Sequence, residues 1–522
     1  MNFQLLIFLA NLILILVLFS LIIKHVKLGF KKIGRNTLIF IFLIFLVGLA
    51  LRVPFEVQHI MTDEYAYMGV AKNILKRGEP SLCSYTDIET ESCPMYLKPI
   101  MFSFILSLAF LIFGVSSLAA ISVSVLFGSL SIILIFLLAY LLLRETEIGL
   151  WSALLLALNP IHIAWSKTAE TSITSLFFIM LVFVIFFCYL RVRYNKVLLL
   201  GLFVTAFAVN MRPENIILLI MLIFLFYMFG RDLLKPEIKK IMNKKFWVWG
   251  AILIVMMIPY FTFLSDAMGG NKYLCSGDEC YSQIFSLDTA KKNWEMYGLL
   301  SFFSYRFHPL IVSFLVLLSL LFIRKNFKEI LFLWVYFLLF YTIFIMFNYL
   351  TSRHLLPLYL SLSVLAGFAI FQLNVYLKKY TKWFTFLIFL VLITASFYPY
   401  VLRTGNVNPF VALESALPEM LEKDISEECY VLAETPCIIN SKTEIKTVST
   451  GYALKNPQKL DNIIKNSKCT LFLVDWYYKN IFAFDRKENF DKINQTYDLN
   501  LYKEYSYDSV KFQLYNLSFK GL

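Results

Sequence analysis

SLAAISVSVLFGSLSIILIFLLAYLLL, residues 117–143, runs for 27 positions without a charged side chain. About 20 apolar residues suffice for a helix to cross a hydrocarbon layer roughly 30 Å thick, so this stretch reads as a transmembrane helix. Working outward from it, comparable apolar runs recur through the first 400 positions. Over the 522 residues, 59% are hydrophobic, Phe alone contributes 52, and only 16% are charged, against about 25% in a soluble domain. The solvent for most of this chain is lipid. The opening run Phe3–Ile23 reads as a span rather than a cleaved signal peptide, because no basic segment precedes it and no small-residue cleavage site follows it. The net charge of +13 does not point to nucleic acid, because the basic residues are dispersed between spans.

Those basic residues orient the bundle. Lys24, Lys27, Lys31, Lys32 and Arg35 follow the first span. Further clusters are Arg191, Arg193 and Lys196; Arg231, Lys235, Lys239, Lys240, Lys244 and Lys245; Arg324, Lys325 and Lys328; and Lys378, Lys379 and Lys382. The positive-inside bias places all five in the cytoplasm. Spans near 3–23, 37–53, 117–143, 149–166, 172–190, 197–210, 215–229, 246–264, 309–323, 329–349, 355–376 and 383–402 satisfy that. The loops 54–116 and 265–308 and the C-terminal tail then lie outside. This arrangement requires Ile100–Gly114, apolar but short, to lie in the outer interface rather than cross.

After Arg403 the composition turns polar. Residues 404–522 read as a small extracytoplasmic α/β domain, beside a membrane domain at 1–403. The pattern predicts helices over 409–423 and 457–465, buried strands over 429–433 and 470–476, and a late strand over 510–517. Cys83 with Cys93, and Cys275 with Cys280, are candidate disulfides of an oxidising outer compartment, free thiols being the alternative. The expected fold class is mainly α and polytopic, with about 12 transmembrane helices, interfacial helices and this tail domain.

Three stretches carry ionisable groups at the outer face. MTDEYAYMGVAKNILKRG, residues 61–78, reads as an amphipathic helix. Thr62 can cap it, and Asp63 and Glu64 suit its positive N-terminal end. Tyr67, Val70, Ala71 and Ile74 share one face. LNPIHIAWSKTAETSITS, residues 158–175, leaves the membrane and turns back, with Glu170 in the turn and His162 just inside. NYLTSRHLLPL, residues 348–358, brings Arg353 and His354 to the same side, and Arg suits bidentate phosphate contact. Lys98, Arg212, Glu214, Arg306 and His308 also reach it. The plain alternatives are that the acids only complement a helix dipole or a solvated turn, that the basic residues anchor the interface, and that His162 is packed. Few charges fall mid-span, which speaks against a transporter.

In order and spacing these stretches resemble the GT-C fold membrane glycosyltransferases, in particular the branch with protein O-mannosyltransferases and lipid A aminoarabinose transferase. Asp63-Glu64-Tyr65 and the residues to Leu75 resemble the acidic pair and amphipathic helix of the first outer loop. Lys98-Pro99 with Phe113-Gly114 resembles the stretch that follows. Asn159-Pro160 with Glu170 resembles the second acidic loop, and Ser352-Arg353-His354-Leu355-Leu356-Pro357 the late phosphate-side motif. The likeness spans about residues 37–376.

The resemblance implies an integral plasma-membrane enzyme with an extracytoplasmic site. It would move a single sugar, hexose or pentose, from a polyprenyl (dolichyl) phosphate donor to a lipid, protein or glycan acceptor, with inversion. It implies Asp63 as base, Glu64 and Glu170 as orienting groups or metal ligands, and Arg353 with Lys98 or His354 on the donor phosphate. Tyr67, Arg212, Glu214, Arg306 and His308 are further candidates. Leu97 stands where some relatives carry a metal-binding acid, so a divalent metal is left open and no cofactor is assigned. Asp475-Trp476-Tyr477 is not the Trp-Trp-Asp-Tyr-Gly motif of oligosaccharyltransferases, which argues against whole-glycan transfer. The rivals are a transporter or flippase of lipid-linked glycans, and a non-catalytic receptor.

Overall fold

The computed structural model describes residues 2–29, 33–53, 62–82, 93, 99–230, 244–268, 287–299, 303, 308–346, 352–377, 387–388, 390–391, 394, 409–426, 428–475, 484–507 and 510–520. Helices dominate its first three quarters. They are α1 (Phe3–Gly29), α2 (Arg35–Arg52), α3 (Thr62–Arg77), α4 (Met101–Phe113), α5 (Ser117–Leu143), α6 (Thr146–Ala157), α7 (Pro160–Ser166), α8 (Thr171–Val192), α9 (Asn195–Val209) and α10 (Ile217–Phe229). These are followed by α11 (Lys244–Met268), α12 (Leu287–Tyr297), α13 (Leu310–Leu318), α14 (Phe327–Ile345) and α15 (Leu358–Leu377). Among the described residues, six helical runs are long and apolar enough to cross a membrane: Phe3–Ile22, Arg35–Arg52, Ser117–Leu143, Thr171–Val192, Leu310–Ile345 and Leu358–Leu377. The chain is an integral membrane protein.

One of the expected spans has an unexpected shape. The stretch read as a single span over 149–166 is two helices, α6 and α7, meeting at a 61° bend. Pro160 causes the break, since it brings no N–H to continue α6 and prefers the first position of a new helix. Asn159 caps that new helix by accepting from the His162 amide at 2.9 Å. The run Leu310–Ile345 has 36 residues, about 54 Å if straight, yet it doubles back at the 3-10 turn Ser319–Asn326. The Phe303 carbonyl accepts from Ser313 at 2.8 Å, while the Phe303 ring lies 5.8 Å from that of Phe337. A straight helix would hold residues 313 and 337 about 36 Å apart. Arg324 and Lys325 occupy the turn, as expected for a loop between spans. The last expected span, 383–402, lies mostly outside the described residues.

Small residues let the helices approach. A Cβ on Gly367 of α15 would come 2.7 Å from Ser152 Oγ and 3.0 Å from the Ile148 carbonyl in α6, the close-packing device of membrane helices. Phe332 of α14 sits 5.6 Å from both Phe183 and Phe187 of α8. α4 has 13 residues and reaches about 20 Å, short of the hydrocarbon thickness. It packs on α3, where Phe102 meets Tyr67 edge-on at 5.4 Å.

The tail begins with the helix Pro409–Asp424 and builds a five-stranded sheet in the order β2-β1-β3-β5-β4. The strands are β1 (Tyr430–Ala433), β2 (Lys446–Ser449), β3 (Thr470–Val474), β4 (Tyr497–Tyr507) and β5 (Val510–Phe519). β1, β2 and β3 are parallel, and β5 adds antiparallel to β3 and β4. Alternate residues pack on opposite faces. Val431, Ala433, Leu471 and Leu473 meet Leu413, Leu417 and Leu421 of the first helix. Leu432 and Phe472 meet Leu460, Ile463 and Ile493 on the other side. Burial on both faces explains why β1 and β3 read as unbroken apolar runs. β2 and β4 carry mixed polar residues and escape that signal. Cys429 and Cys469 form a disulfide at the start of β1 and β3, with Cα atoms 4.8 Å apart. Neither was paired on spacing alone. Cys83, Cys275 and Cys280 lie outside the described residues, so both pairings expected from spacing do as well.

The tail docks on α3. As expected, the face with Tyr67, Val70, Ala71 and Ile74 is buried. The opposite face is covered too. Lys72 is 4% exposed and donates to the Thr443 carbonyl at 2.6 Å. Glu444 lies 3.2 Å from Lys72 and 2.6 Å from Lys76. Burial pushes the Glu444 carboxyl up, but the hydrogen bond from Lys76 and the charge of Lys72 outweigh it and hold the group below the usual carboxylate range. Burial also lowers Lys72, by more than Glu444 raises it. Two lysines converge on this half-exposed carboxylate.

Candidate active site

Asp63 and Glu64 occupy the first turn of α3, at its positive end. Helical geometry sends them different ways. Glu64 is fully buried and its Oε2 accepts from the Ala169 amide at 2.7 Å. The Asp63 side chain keeps 26% of its surface exposed. Ala169 belongs to the turn after α7, and the next residue, Glu170, caps α8, its Oε2 accepting from the Ser172 amide at 2.7 Å. An amide otherwise orphaned at the helix start is thereby satisfied.

Arg353 lies in the 3-10 turn Ser352–Leu355. That turn is tied to α7, where Trp165 Nε1 donates to Ser352 Oγ at 3.2 Å. The guanidinium bridges the two acidic segments, with Nη2 2.8 Å from Asp63 Oδ2 and Nη1 3.4 Å from Glu170 Oε1. A guanidinium this deep needs compensating charge. Burial alone would lower its pKa, but Glu170 and Asp63 outweigh burial and raise it, so Arg353 is charged at every working pH.

Behind Glu170 the polar chain continues. Arg212 donates to Ser172 Oγ and pairs with Glu214 at 2.6 Å. Asn215 donates to Ser175 Oγ at 2.8 Å. Asp63, Arg353, Glu170, Ser172, Arg212 and Glu214 thus form one connected network from the exposed edge to the interior. Tyr67 is close enough for its hydroxyl to act on the charge of Arg353, and His354 is buried in the same 3-10 turn. His308 has a different setting, bonding Ser313 Oγ at 2.8 Å with its ring 6.2 Å from Tyr359. Lys98 and Arg306 lie outside the described residues. Ser172, Trp165 and the Ala169 amide escaped sequence reading, since a hydroxyl, an indole and a backbone N–H leave no charge pattern.

The fit to a metal is poor. Asp63 and Glu170 both turn to Arg353, Glu64 is spent on an amide, and among the described residues no group of three His, Cys, Asp or Glu side chains converges on a point. The cation that this chain places between its carboxylates is a guanidinium.

Residues 97–263 match the family model described as dolichyl-phosphate-mannose-protein mannosyltransferase. No curated protein matches the chain in sequence. Among solved structures, ArnT from Cupriavidus metallidurans bound to undecaprenyl phosphate superposes with a TM-score of 0.61 at 12% identity, over 92% of this chain and 97% of that one. The archaeal oligosaccharyltransferase AglB from Archaeoglobus fulgidus, in complex with an inhibitory peptide and a dolichol-phosphate, gives 0.57 at 12% identity, over 93% of this chain and 74% of that one. The chain thus has the GT-C fold of these structures, and over residues 97–263 it is similar to the mannosyltransferase family model.

Proposed function

We propose that the chain is an inverting glycosyltransferase, moving one sugar from a polyprenyl-phosphate donor to an acceptor at the outer membrane face. The observation that carries this reading is the direct contact of Arg353 with Asp63. A permanent cation and a partly exposed carboxylate meet at one point, as displacement of a phosphate by a protic nucleophile requires. The acceptor lone pair attacks the anomeric carbon opposite the phosphate. The acceptor proton passes to Asp63. The bond from anomeric carbon to phosphate oxygen breaks, its electron pair stays on that oxygen, and Arg353 stabilises the charge that develops there. Asp63 is the base because it is the accessible acid. Glu64 and Glu170 each commit an oxygen to a backbone amide and serve to orient.

The basic clusters support an extracytoplasmic site, with residues 404–522 forming a separate domain on the same side. The lipid phosphates in the two superposed structures support the donor class. The test is transfer in native membranes from labelled polyprenyl-phosphate sugars. Transfer that Asp63→Asn abolishes supports the reading, and absence of transfer from every such donor overturns it. A transporter would keep its activity in Asp63→Asn.

A further inference from the structure

Arg52, the last residue of α2, is fully buried in the bundle. An ionisable group at such a place needs partners and a reason. Its described hydrogen bonds go to three carbonyls and an imidazole. Nη1 donates to the Gly48 carbonyl at 2.7 Å and to that of Ala157 at 3.1 Å. Nη2 donates to the Leu156 carbonyl at 3.1 Å and to His162 Nδ1 at 2.7 Å. Gly48 lies in the last turns of α2, and Leu156 and Ala157 end α6, so the guanidinium sits at the negative ends of two helix dipoles. The Leu156 carbonyl is the one that an unbroken helix would bond from residue 160, where the proline has no N–H. Its only described backbone donor is Asn159, at 3.3 Å. Arg52 supplies the missing donor and, with the same nitrogen, holds the imidazole on the far side of the break.

The helix that starts beyond the break carries most of what positions the candidate site. Trp165 holds the turn of Arg353. Thr168 Oγ1 folds back onto the Trp165 carbonyl at 2.8 Å. The next two residues give the amide that binds Glu64 and the carboxylate that binds Arg353. α7 has only 7 residues, so its tilt at the break is passed on to all of these within two turns.

We propose that Arg52 and His162 are positioning residues of the transfer site, fixing through the α6–α7 break the angle at which α7 presents Ala169 and Glu170 to Glu64 and Arg353. The proposal rests on the transferase reading for its kinetic consequence but not for its structural one. The role of His162 here is to offer an acceptor at Nδ1. The Asn side-chain oxygen reaches that position, whereas the Gln oxygen reaches toward Nε2.

The experiment compares His162→Asn, His162→Gln, His162→Leu and Arg52→Lys in the full chain by two readouts. The first is transfer kinetics. His162→Leu and Arg52→Lys should lower kcat about 10- to 100-fold, the scale of a misplacement near 1 Å, with KM for the donor changed less than about threefold. His162→Asn should restore kcat to within about threefold of wild type, and His162→Gln should not. The second is hydrogen exchange at the Ala169 amide, which needs no turnover. Exchange should be slow in wild type and His162→Asn and faster in His162→Gln and Arg52→Lys. Equal behaviour of the Asn and Gln variants in exchange would overturn the proposal, even if His162→Leu fails to assemble. Altered exchange in a chain that shows no transfer from any donor would uphold the positioning and sink the transferase reading instead.

Discussion

The guanidinium of Arg353 donates to the carboxylate of Asp63 at 2.8 Å, across 290 residues of intervening sequence. Asp63 enters from the first turn of α3 and Arg353 from a turn that Trp165 holds on α7. Their meeting therefore reports on how three separate segments are packed. In Asp63→Asn the amide oxygen still accepts from Arg353, so the packing survives while the proton acceptor is lost. Transfer should fall by about 10²- to 10⁴-fold, the usual worth of a general base, in a chain that still assembles but unfolds at a somewhat lower temperature, because Arg353 keeps only Glu170 as compensating charge. Undiminished transfer would remove Asp63 from the role of base.

Arg353→Lys keeps the charge but not the fork that reaches both carboxylates. The variant should assemble, lose transfer by about 100-fold, and unfold at a lower temperature than wild type. Thermal unfolding and transfer measured on one preparation decide it. Wild-type values in both would show that a point charge suffices.

Glu64→Gln separates the two acids of the pair. Its amide oxygen can accept from the Ala169 N–H as the carboxylate does, so transfer should suffer at least tenfold less than in Asp63→Asn. Glu64→Leu leaves that amide without its acceptor and should cost about 1–3 kcal/mol of stability. Kinetics of the three variants side by side would expose the opposite assignment, in which Glu64→Gln is the dead enzyme.

Docking of the tail on α3 should weaken in acid. The folded pKa of Glu444 lies below the unfolded one. Its contribution is therefore full above the unfolded carboxylate value and is lost as pH falls through the folded value. Below that value Glu444 is neutral and its attraction to Lys72 and Lys76 is gone. Limited proteolysis of the tail against pH should show cleavage rising on the acid side, and Glu444→Gln should show the acid pattern at neutral pH. A flat profile in wild type would assign the docking to apolar contact alone.

Reducing the Cys429–Cys469 disulfide, or replacing both residues with Ser, should destabilise the tail by about 2–5 kcal/mol. The bond closes a loop with a sequence separation of 40. Its loss should show in thermal unfolding followed by the near-ultraviolet signal of the tail aromatics.

What could be read from the sequence followed the residues whose physics is local. The span Ser117–Leu143 needs only length and hydropathy, and the strands over 430–433 and 470–474 declare themselves because both faces are buried. Asp63, Glu170 and Arg353 were visible as charges at span ends. Their contact was not, since it depends on the bend at Pro160 and the tilt of a seven-residue helix. Lys72 belongs to the polar side of an amphipathic helix, yet it is buried because a domain some 370 residues away covers it. Arg52 hid at the end of an apolar run, where a single basic residue reads as an interface anchor. The disulfide joins two strands whose register only the sheet reveals.

β5, residues 510–519, lies inside the tail sheet, bonded to β3 on one side and β4 on the other. It is also the last described element to leave the ribosome. The sheet can therefore close only when synthesis has run past every span, and the segment Thr443–Glu444 that covers α3 is held by that sheet. A chain released early, short of β5, would carry its helices in the bilayer and still present the polar face of α3 bare. Cover over Lys72 is thereby deferred until β5 has been made, and a copy that stops short of β5 is expected to leave that lysine exposed.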